Sequence, residues 1–254
     1  MEDFLKQMIQ EAGAIGKGYF KKGVHFKTKK HLGDLVTQAD LEVSDFCIQK
    51  IQASYRDHAI YSEEKKEIIN EGAEYLWMID PIDGTRNFAI GVPMWCVMIA
   101  VFKQDELYLA AIYNPLVDEL FFAEAGKGAT LNGLPLHVND IDSLSHGYGV
   151  PVRGGNDKSH NDIFVTMMKK LCDTDVWMHN FGTMLGACYV ASGGADFFVN
   201  NAGWDHDYAA VTLICREAGA LVTDSDGNPW KRGRQDIVIA NPRLHPKILE
   251  LLHS

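Results

Sequence analysis

An apolar run, Tyr75-Leu76-Trp77-Met78-Ile79, breaks off at Asp80-Pro81-Ile82-Asp83-Gly84-Thr85-Arg86-Asn87-Phe88. The run reads as a buried strand. Pro81 has no N–H to give to a ladder, so the strand is expected to end before it and a tight turn to begin. Gly84 lets the backbone bend and approach a ligand closely. Two carboxylates and several free N–H groups thus fall within six residues. Carboxylates hold a hard cation, and N–H groups hold an anion. A site that needs both is most simply a metal-assisted phosphate site. The alternative is a turn whose Asp side chains accept backbone hydrogen bonds.

The rest of the chain limits the setting of such a site. Its 254 residues suffice for one large or two small domains with a proper core. It reads as a single domain, with 1–145 and 146–254 as the alternative division into subdomains. No apolar run approaches the roughly 20 residues that cross a bilayer, so no membrane partner is expected. Met1-Glu2-Asp3-Phe4-Leu5-Lys6 is acidic and amphipathic, unlike an export leader. Cys47, Cys96, Cys172, Cys188 and Cys215 are odd in number and scattered through apolar segments. That is the pattern of reduced core thiols in a cytoplasmic protein. No Cys-x-x-Cys or His-x-x-x-His spacing points to zinc. The net charge of −10 argues against direct nucleic-acid binding. Such acidity suits a phosphate site only if bound divalent cations reverse the local field. One basic stretch holds Lys21, Lys22, Lys27, Lys29 and Lys30. It is either a solvated loop or the place where Lys29 or Lys30 approaches a substrate phosphate.

Periodicity gives the order of elements. Phe4, Met8, Ala12, Ile15 and Tyr19 predict an amphipathic helix over 3–20. Thr37 and Asp40 have the spacing of a cap for a second helix through Ser54. His58 to Tyr61 reads as a short strand, and Lys65 to Glu74 as a charged, mobile loop. Trp95 to Phe102, Leu107 to Tyr113 and Glu119 to Ala123 read as antiparallel strands. Gly126-Lys127-Gly128 lacks the Walker spacing and reads as a hairpin turn. Beyond a polar loop from Arg153 to His160, helices are expected over Asp162–Leu171, Thr183–Ser192 and Trp204–Ala218. Strands are expected at Asp175–Met178, Asp196–Val199, Leu221–Thr223 and Ile237–Ala240. Asp224-Ser225-Asp226-Gly227 has its glycine too early for a calcium loop and reads as a turn. The mixed order suggests an α+β fold in layers.

The string Asp80 to Phe88 resembles the signature of the inositol monophosphatase family, the magnesium-dependent, lithium-sensitive phosphatases. Three more stretches resemble that family's motifs in the same order: Asp34-Leu35-Val36-Thr37-Gln38-Ala39-Asp40, Tyr61-Ser62-Glu63-Glu64, and Gly203-Trp204-Asp205-His206-Asp207-Tyr208-Ala209-Ala210. Gly182-Thr183 and Ala191-Ser192-Gly193-Gly194-Ala195-Asp196 also fit. The resemblance runs from about Asp34 to Asn241. It implies a layered α-β-α-β-α sandwich, a homodimer, a small-molecule phosphate ester as substrate, and two or three Mg2+ ions.

The resemblance also implies roles for residues. Glu63 and Asp80, with the backbone carbonyl of Ile82, would hold one metal; Asp80, Asp83 and Asp205 would hold a second. Glu63 and Thr85 would position the attacking water, with Asp40 orienting Thr85. Gly84 and Thr85 N–H groups would receive phosphate oxygens. Asp83, Gly182, Thr183, Asn200, Asp205 and Lys29 would contact substrate, and lithium would occupy the second metal position. Oxygen ligands of this kind suit magnesium, and paired divalent ions clamp a phosphoryl group and acidify a bound water. Simpler readings stand beside these: Asp205 as an N-cap, Asp40 as a favourable first-turn charge, and Trp204 and His206 as structural residues. Two departures bear on the substrate. Asn200 stands where relatives acting on inositol phosphate commonly have a glutamate. Asp207 and Tyr208 replace residues that are usually small, so Asp207 is either an extra acid near the second metal or a first-turn charge. Inositol 1-phosphate is the leading substrate; histidinol phosphate, fructose 1,6-bisphosphate, 3′-phosphoadenosine 5′-phosphate and NADP are alternatives. A regulatory binding role is the reading from another class.

Overall fold

Alternation along single strands shows where each layer lies. In the strand that begins at Tyr75, Trp77 and Ile79 enter one buried cluster with Leu5, Met8, Val43 and Ile51. Leu76 and Met78 enter another with Leu185, Ala209, Leu213 and Ile214. A strand apolar on both faces has to be covered on both, and helices do the covering. The computed structural model of the chain describes residues 1–22, 26–28, 35–65, 67–154 and 158–253. Lys29 and Lys30, expected near a substrate phosphate, lie outside the described residues.

The elements follow in chain order as α1 (Glu2–Lys22), β1 (Phe26–Thr28), β2 (Leu35–Thr37), α2 (Gln38–Ser54), β3 (Ala59–Ser62), β4 (Tyr75–Asp83), α3 (Thr85–Ile90), β5 (Cys96–Lys103), β6 (Glu106–Asn114), β7 (Glu119–Glu124) and β8 (Gly128–Leu131). After β9 (Leu134–Pro135) come β10 (Tyr148–Val152), α4 (Lys158–Cys172), β11 (Trp177–Met178), α5 (Leu185–Ala191), β12 (Phe197–Asn200), α6 (Asp205–Glu217), β13 (Leu221–Thr223), β14 (Ile237–Ala240) and α7 (His245–His253).

Among the described residues, one sheet has the order β3-β4-β5-β6-β7-β8-β9 and a second the order β11-β10-β12-β14-β13, with β1 and β2 paired separately. In the first sheet β3 and β4 are parallel and the other pairs antiparallel. In the second sheet Phe198, Ile237 and Ile239 face the cluster that holds α5 and α6. Phe197, Val199, Val238 and Ala240 face α4 and α7. The layers are therefore α1 and α2, the first sheet, α5 and α6, the second sheet, then α4 and α7. This is the α+β, α-β-α-β-α sandwich expected. No helix among the described residues is long and apolar enough to cross a membrane.

Several local expectations hold. Thr37 caps α2, and the Asp40 carboxylate reaches back to the Thr37 N–H in a capping box. Gly126 to Gly128 turns between β7 and β8. Thr223 and Pro229 form an antiparallel bridge around the turn that begins at Asp224. Others need correcting. Within the stretch read as a mobile loop, Ile69 is tied to the edge of β3, because Ile60 and Ile69 exchange both backbone hydrogen bonds at 3.0 Å. Cys172 is exposed, while the other four thiols are buried and unpaired.

The correction that matters most concerns β4, which does not stop before Pro81. Asp80 pairs with Met98 and Asp83 with Cys96, so three steps on β4 match two on β5. One extra residue is accommodated there as a bulge, and the N–H that Pro81 lacks falls where the ladder is interrupted. The bulge also changes the parity of the strand. Side chains three apart on a regular strand face opposite ways. The added residue returns Asp83 to the face of Asp80, while Ile82 joins the core on the α1 and α2 side.

Close packing of the second sheet gives a stability prediction. A Cβ added at Gly149 would lie 2.1 Å from the Phe197 ring. Gly149→Ala is expected to lower stability by about 1–3 kcal/mol, read as a lower urea midpoint with an unchanged slope.

Candidate active site

The parallel pair β3 and β4 ends in register, with Ser62 opposite Ile79. The Glu63 N–H then donates to the Ile79 carbonyl at 3.1 Å, which sets Glu63 beside Asp80. The bulge brings Asp83 round to the same side. From the middle helix layer, α6 contributes Asp207. Ligand oxygens of Asp80, Asp83 and Asp207 all lie within 4.8 Å of one another.

Each carboxylate is held by different means. Asp83 Oδ2 accepts from the Thr183 hydroxyl, from the Met184 N–H at 2.7 Å and from the Cys96 thiol at 3.3 Å. Burial pushes the Cys96 thiol well above its ordinary value, so it stays protonated and able to donate. Asp207 Oδ2 accepts from the Trp204 N–H at 2.6 Å, the N3 side chain reaching back to the N-cap. Asp80 is 2% exposed, yet its Oδ1 is buried without a hydrogen-bond partner.

The structure replaces Asp205 with Asp207 in the acidic cluster. Asp205 is the first residue of α6 and Asp207 the third. Two residues at 3.6 per turn are about 200° apart, so only one of them can face β4. Asp205 turns the other way. Its Oδ1 accepts from the Gly233 N–H at 2.6 Å, and its Oδ2 lies 3.8 Å from Arg232 Nε. The sequence reading starts this helix at Trp204, within a residue of the observed start; the Trp204-Asp205 string, not the boundary, drew the ligand role to Asp205.

The remaining expected residues fall into three groups. Thr183 meets the cluster directly through its hydroxyl, while Gly182, in the left-handed turn before it at φ +62, lies beside Asn87. Gly84 also has a positive φ of 84, and a Cβ there would sit 2.9 Å from the Met94 carbonyl, so the turn after Asp83 needs glycine. Asp40 and Thr85 form the second group, one layer back. Asp40 Oδ2 accepts from the Thr37 N–H at 2.7 Å and hydroxyl at 2.5 Å. Thr85 Oγ1 is 3.5 Å from Asp40 Oδ1 but 2.9 Å from the Ile82 carbonyl, which is the better acceptor. Asn200 stands apart. Its Oδ1 accepts from the Ala202 N–H at 3.0 Å, and it borders a cleft with Ile163, Phe164 and Leu252 rather than any member of the cluster.

Two residues gain importance over the sequence reading. The Tyr61 hydroxyl is 3.2 Å from His206 Nδ1, and the rings stack with centroids 5.8 Å apart. His206 Nε2 lies 4.0 Å from Asp207 Oδ1. Trp204, expected to pack, is 64% exposed. A Tyr two residues before Glu63 was the only sequence signal for the Tyr61 contact.

The electrostatics are those of an acidic cluster with its charge unbalanced. Burial pushes Asp80 well above its ordinary value, and the carboxylates of Glu63, Asp83, Asp207 and Asp40 push it further. Burial raises Asp83 to about 7 despite the Thr183 hydrogen bond, and raises Asp207 as well. Asp40 is likewise raised by burial to about 7. The donor set is all oxygen, and Asp80 offers a buried oxygen that nothing in the protein satisfies. That combination fits a hard divalent cation such as magnesium.

A layered α+β sandwich with an acidic cluster of this kind at the end of a bulged strand defines the class of metal-assisted phosphatases. Residues 1–254 match the Inositol monophosphatase family, and the chain belongs to it, a family of magnesium-dependent phosphomonoesterases. The chain is similar to Nus factor SuhB of Vibrio cholerae, 34% identical over 88% of this chain and 84% of that one. It is also similar to an inositol monophosphatase of Dictyostelium discoideum, 32% identical over 99% and 96%. Its fold matches the extragenic suppressor protein SuhB of Bartonella henselae with a TM-score of 0.93 at 27% identity, covering 100% and 98%.

Two predictions follow from the cluster. Asp207→Asn is expected to raise the Mg2+ concentration for half-maximal stabilisation by tenfold or more, roughly the loss of one charged ligand interaction. Asp205→Asn leaves it within about twofold, since Asp205 faces Gly233 and Arg232 rather than the cluster; isothermal titration with Mg2+ checks both. The second concerns pH. Asp40 and Asp83 bind protons more tightly folded than unfolded, where their ordinary value is 3.8. Their contribution is fully present below about pH 4 and is lost as pH rises through about 7. The chelated protein should therefore melt lower at pH 8 than at pH 5, and Mg2+ should restore more at pH 8. Equal Mg2+ stabilisation at the two pH values in calorimetry would contradict this.

Proposed function

We propose that the protein is a magnesium-dependent phosphomonoesterase acting on a small phosphorylated metabolite. The carrying observation is the buried, unsatisfied oxygen of Asp80 within the Asp80, Asp83 and Asp207 cluster. Asp80, Asp83, Asp207 and Glu63, with the Ile82 carbonyl, would hold the metal. Bound there, divalent ions polarise the phosphoryl oxygens and lower the pKa of a water.

The chain's own residues do the rest. Thr183, Met184 and Cys96 occupy one oxygen of Asp83 and so leave the other for the cation. Glu63 stands at the edge of the cluster, where its carboxylate accepts a proton from the attacking water. The Thr85 hydroxyl, positioned by Ile82 and Asp40, orients that water. The N–H groups of Gly84 and Thr85, at the start of α3, receive phosphate oxygens. The water oxygen would bond to phosphorus as the P–O bond to the alcohol breaks, the departing alkoxide would take a proton from a solvent water, and phosphate and alcohol would leave. Inositol 1-phosphate is the first substrate to test. We place the protein in the cytoplasm as a homodimer without direct nucleic-acid contact.

The name Nus factor, carried by the Vibrio cholerae relative, favours a second reading as a regulatory binding protein. The two readings separate in one experiment. Phosphate release is measured from the candidate esters with and without Mg2+, for wild type, Asp83→Asn and Glu63→Gln. The enzyme reading expects Mg2+-dependent release that is lost in Asp83→Asn and falls roughly 10²–10⁴-fold in Glu63→Gln. Lithium is expected to inhibit it. Absence of release from every ester, with the protein folded, would sink the enzyme reading.

A further inference from the structure

Glu63 and Asp207 stand on elements from different layers, one just past the end of β3 and the other in the first turn of α6. Side chains two apart on a strand share a face. Tyr61 therefore lies on the face of Glu63, and Met78, its partner in register, on the face of Asp80. Tyr61 and Met78 both pack toward α5 and α6, whereas Ile60 packs toward α1 and α2. One step back from the acids, β3 thus presents Tyr61 to α6. The residue that meets it there is His206, immediately before Asp207.

The contact is directional. The Tyr61 hydroxyl is 3.2 Å from His206 Nδ1, and the two rings stack at an interplanar angle of 28°. His206 is buried, and its Nε2 lies 4.0 Å from Asp207 Oδ1. That separation is an electrostatic contact rather than a hydrogen bond. A carboxylate in front of Nε2 favours the tautomer that carries its proton there, which leaves Nδ1 to accept from the tyrosine. The hydroxyl, the imidazole and the Asp207 carboxylate then form one chain, each donor aimed at the next acceptor.

A tie is needed at this point. The carboxylates of Glu63, Asp83 and Asp207 repel that of Asp80, and Glu63 repels Asp207. Like charges on β3, β4 and α6 therefore push the first turn of α6 away from the sheet. The apolar packing of α6 starts at Tyr208 and Ala209, behind Asp207, so the turn itself depends on polar contacts. The other face of β3 is fastened as well, since the Ser62 and Ser44 hydroxyls are 2.7 Å apart and join β3 to α2. Ligands held at their working spacing bind a cation without the cost of gathering them.

We propose that Tyr61 and His206 are a positioning pair for the divalent cation: the hydrogen bond that Tyr61 donates to His206 Nδ1 holds the start of α6 against β3 and so keeps Asp207 at ligand spacing from the acids of β3 and β4. This rests on the metal-dependent reading of the cluster. Neither residue ligates the cation or moves a proton in the reaction; both act through Asp207.

The test is calorimetric titration of the full chain with Mg2+, beside thermal melting in chelator. Tyr61→Phe removes a hydroxyl and little else. It is expected to raise the Mg2+ dissociation constant about 3- to 10-fold, while melting in chelator moves by no more than about 4 °C. His206→Phe, which also loses Nε2, should raise the constant by roughly 10-fold or more. Tyr61→Phe added to His206→Phe should then change it by less than about twofold, because the bond is already gone. If His206→Phe does not fold, nitrogen NMR of the wild-type imidazole carries the comparison, with a bare Nδ1 and a protonated Nε2 expected. A constant unmoved in Tyr61→Phe with only the melting temperature lowered, a full second loss in the double variant, or a proton on Nδ1 overturns the pair and leaves the metal reading standing. No Mg2+ binding to wild type, by heat or by a rise in melting temperature, overturns the metal reading and the pair with it.

Discussion

Mutual repulsion among buried carboxylates is the constraint around which this molecule is arranged. Asp80, Asp83 and Asp207 crowd together at the end of a strand, and burial already disfavours the charge on each. Such a group of acids is kept only where a scaffold forces it and a cation is to be received. The forcing is visible in the bulge at Pro81 and Ile82. Without it, Asp83 would point into the α1 and α2 core. With it, two aspartates share a face, and the Asp83 oxygen turned toward Thr183 and Met184 is neutralised by donors rather than by metal. The scaffold thus opposes the repulsion asymmetrically: donors surround Asp83, while Asp80 keeps an oxygen bare.

The middle helix layer makes that geometry possible. α6 lies between the two sheets, buried over most of its length from His206 to Cys215. Its start is fixed twice, by Asp207 bonding back to Trp204 and by Asp205 bonding out to Gly233. The same two acids therefore define the helix terminus, deliver a ligand to the first sheet, and anchor a basic loop from the connection between β13 and β14. Substitution at Asp205 is felt through the loop; substitution at Asp207 is felt through the cluster.

How much of this was legible in the sequence follows from how local each signal is. The layered fold, the cap at Thr37 and Asp40, most strands, and the acids Glu63, Asp80 and Asp83 rest on short-range patterns. Period-two alternation, capping spacing and the Asp80 to Phe88 string carry them without tertiary information. The continuation of β4 through Pro81 was not legible, because proline's penalty vanishes when an interrupted ladder spares it the missing bond. β10, with Pro151 inside it, was missed too: its ladder with β12 runs unbroken through Pro151, while β11 pairs only as far as Gly149 and leaves that end of the strand an open side. The exchange of Asp205 for Asp207 was not legible because the acid that follows Trp204 is taken up by a contact to Gly233, distant in the chain. Asn200 matched by position in the chain, yet its side chain closes its own turn to Ala202.

Asn200 shows what a family resemblance leaves undetermined. Metal and phosphate chemistry need the same oxygens whatever alcohol is released, so the cluster alone cannot select a leaving group. Selection has to come from the surfaces next to it. The asparagine at position 200, uncharged and turned to the Ala202 N–H, removes one way of holding hydroxyls. Metal binding and the fixing of the basic loop meet in α6, whose first turn carries one acid for each.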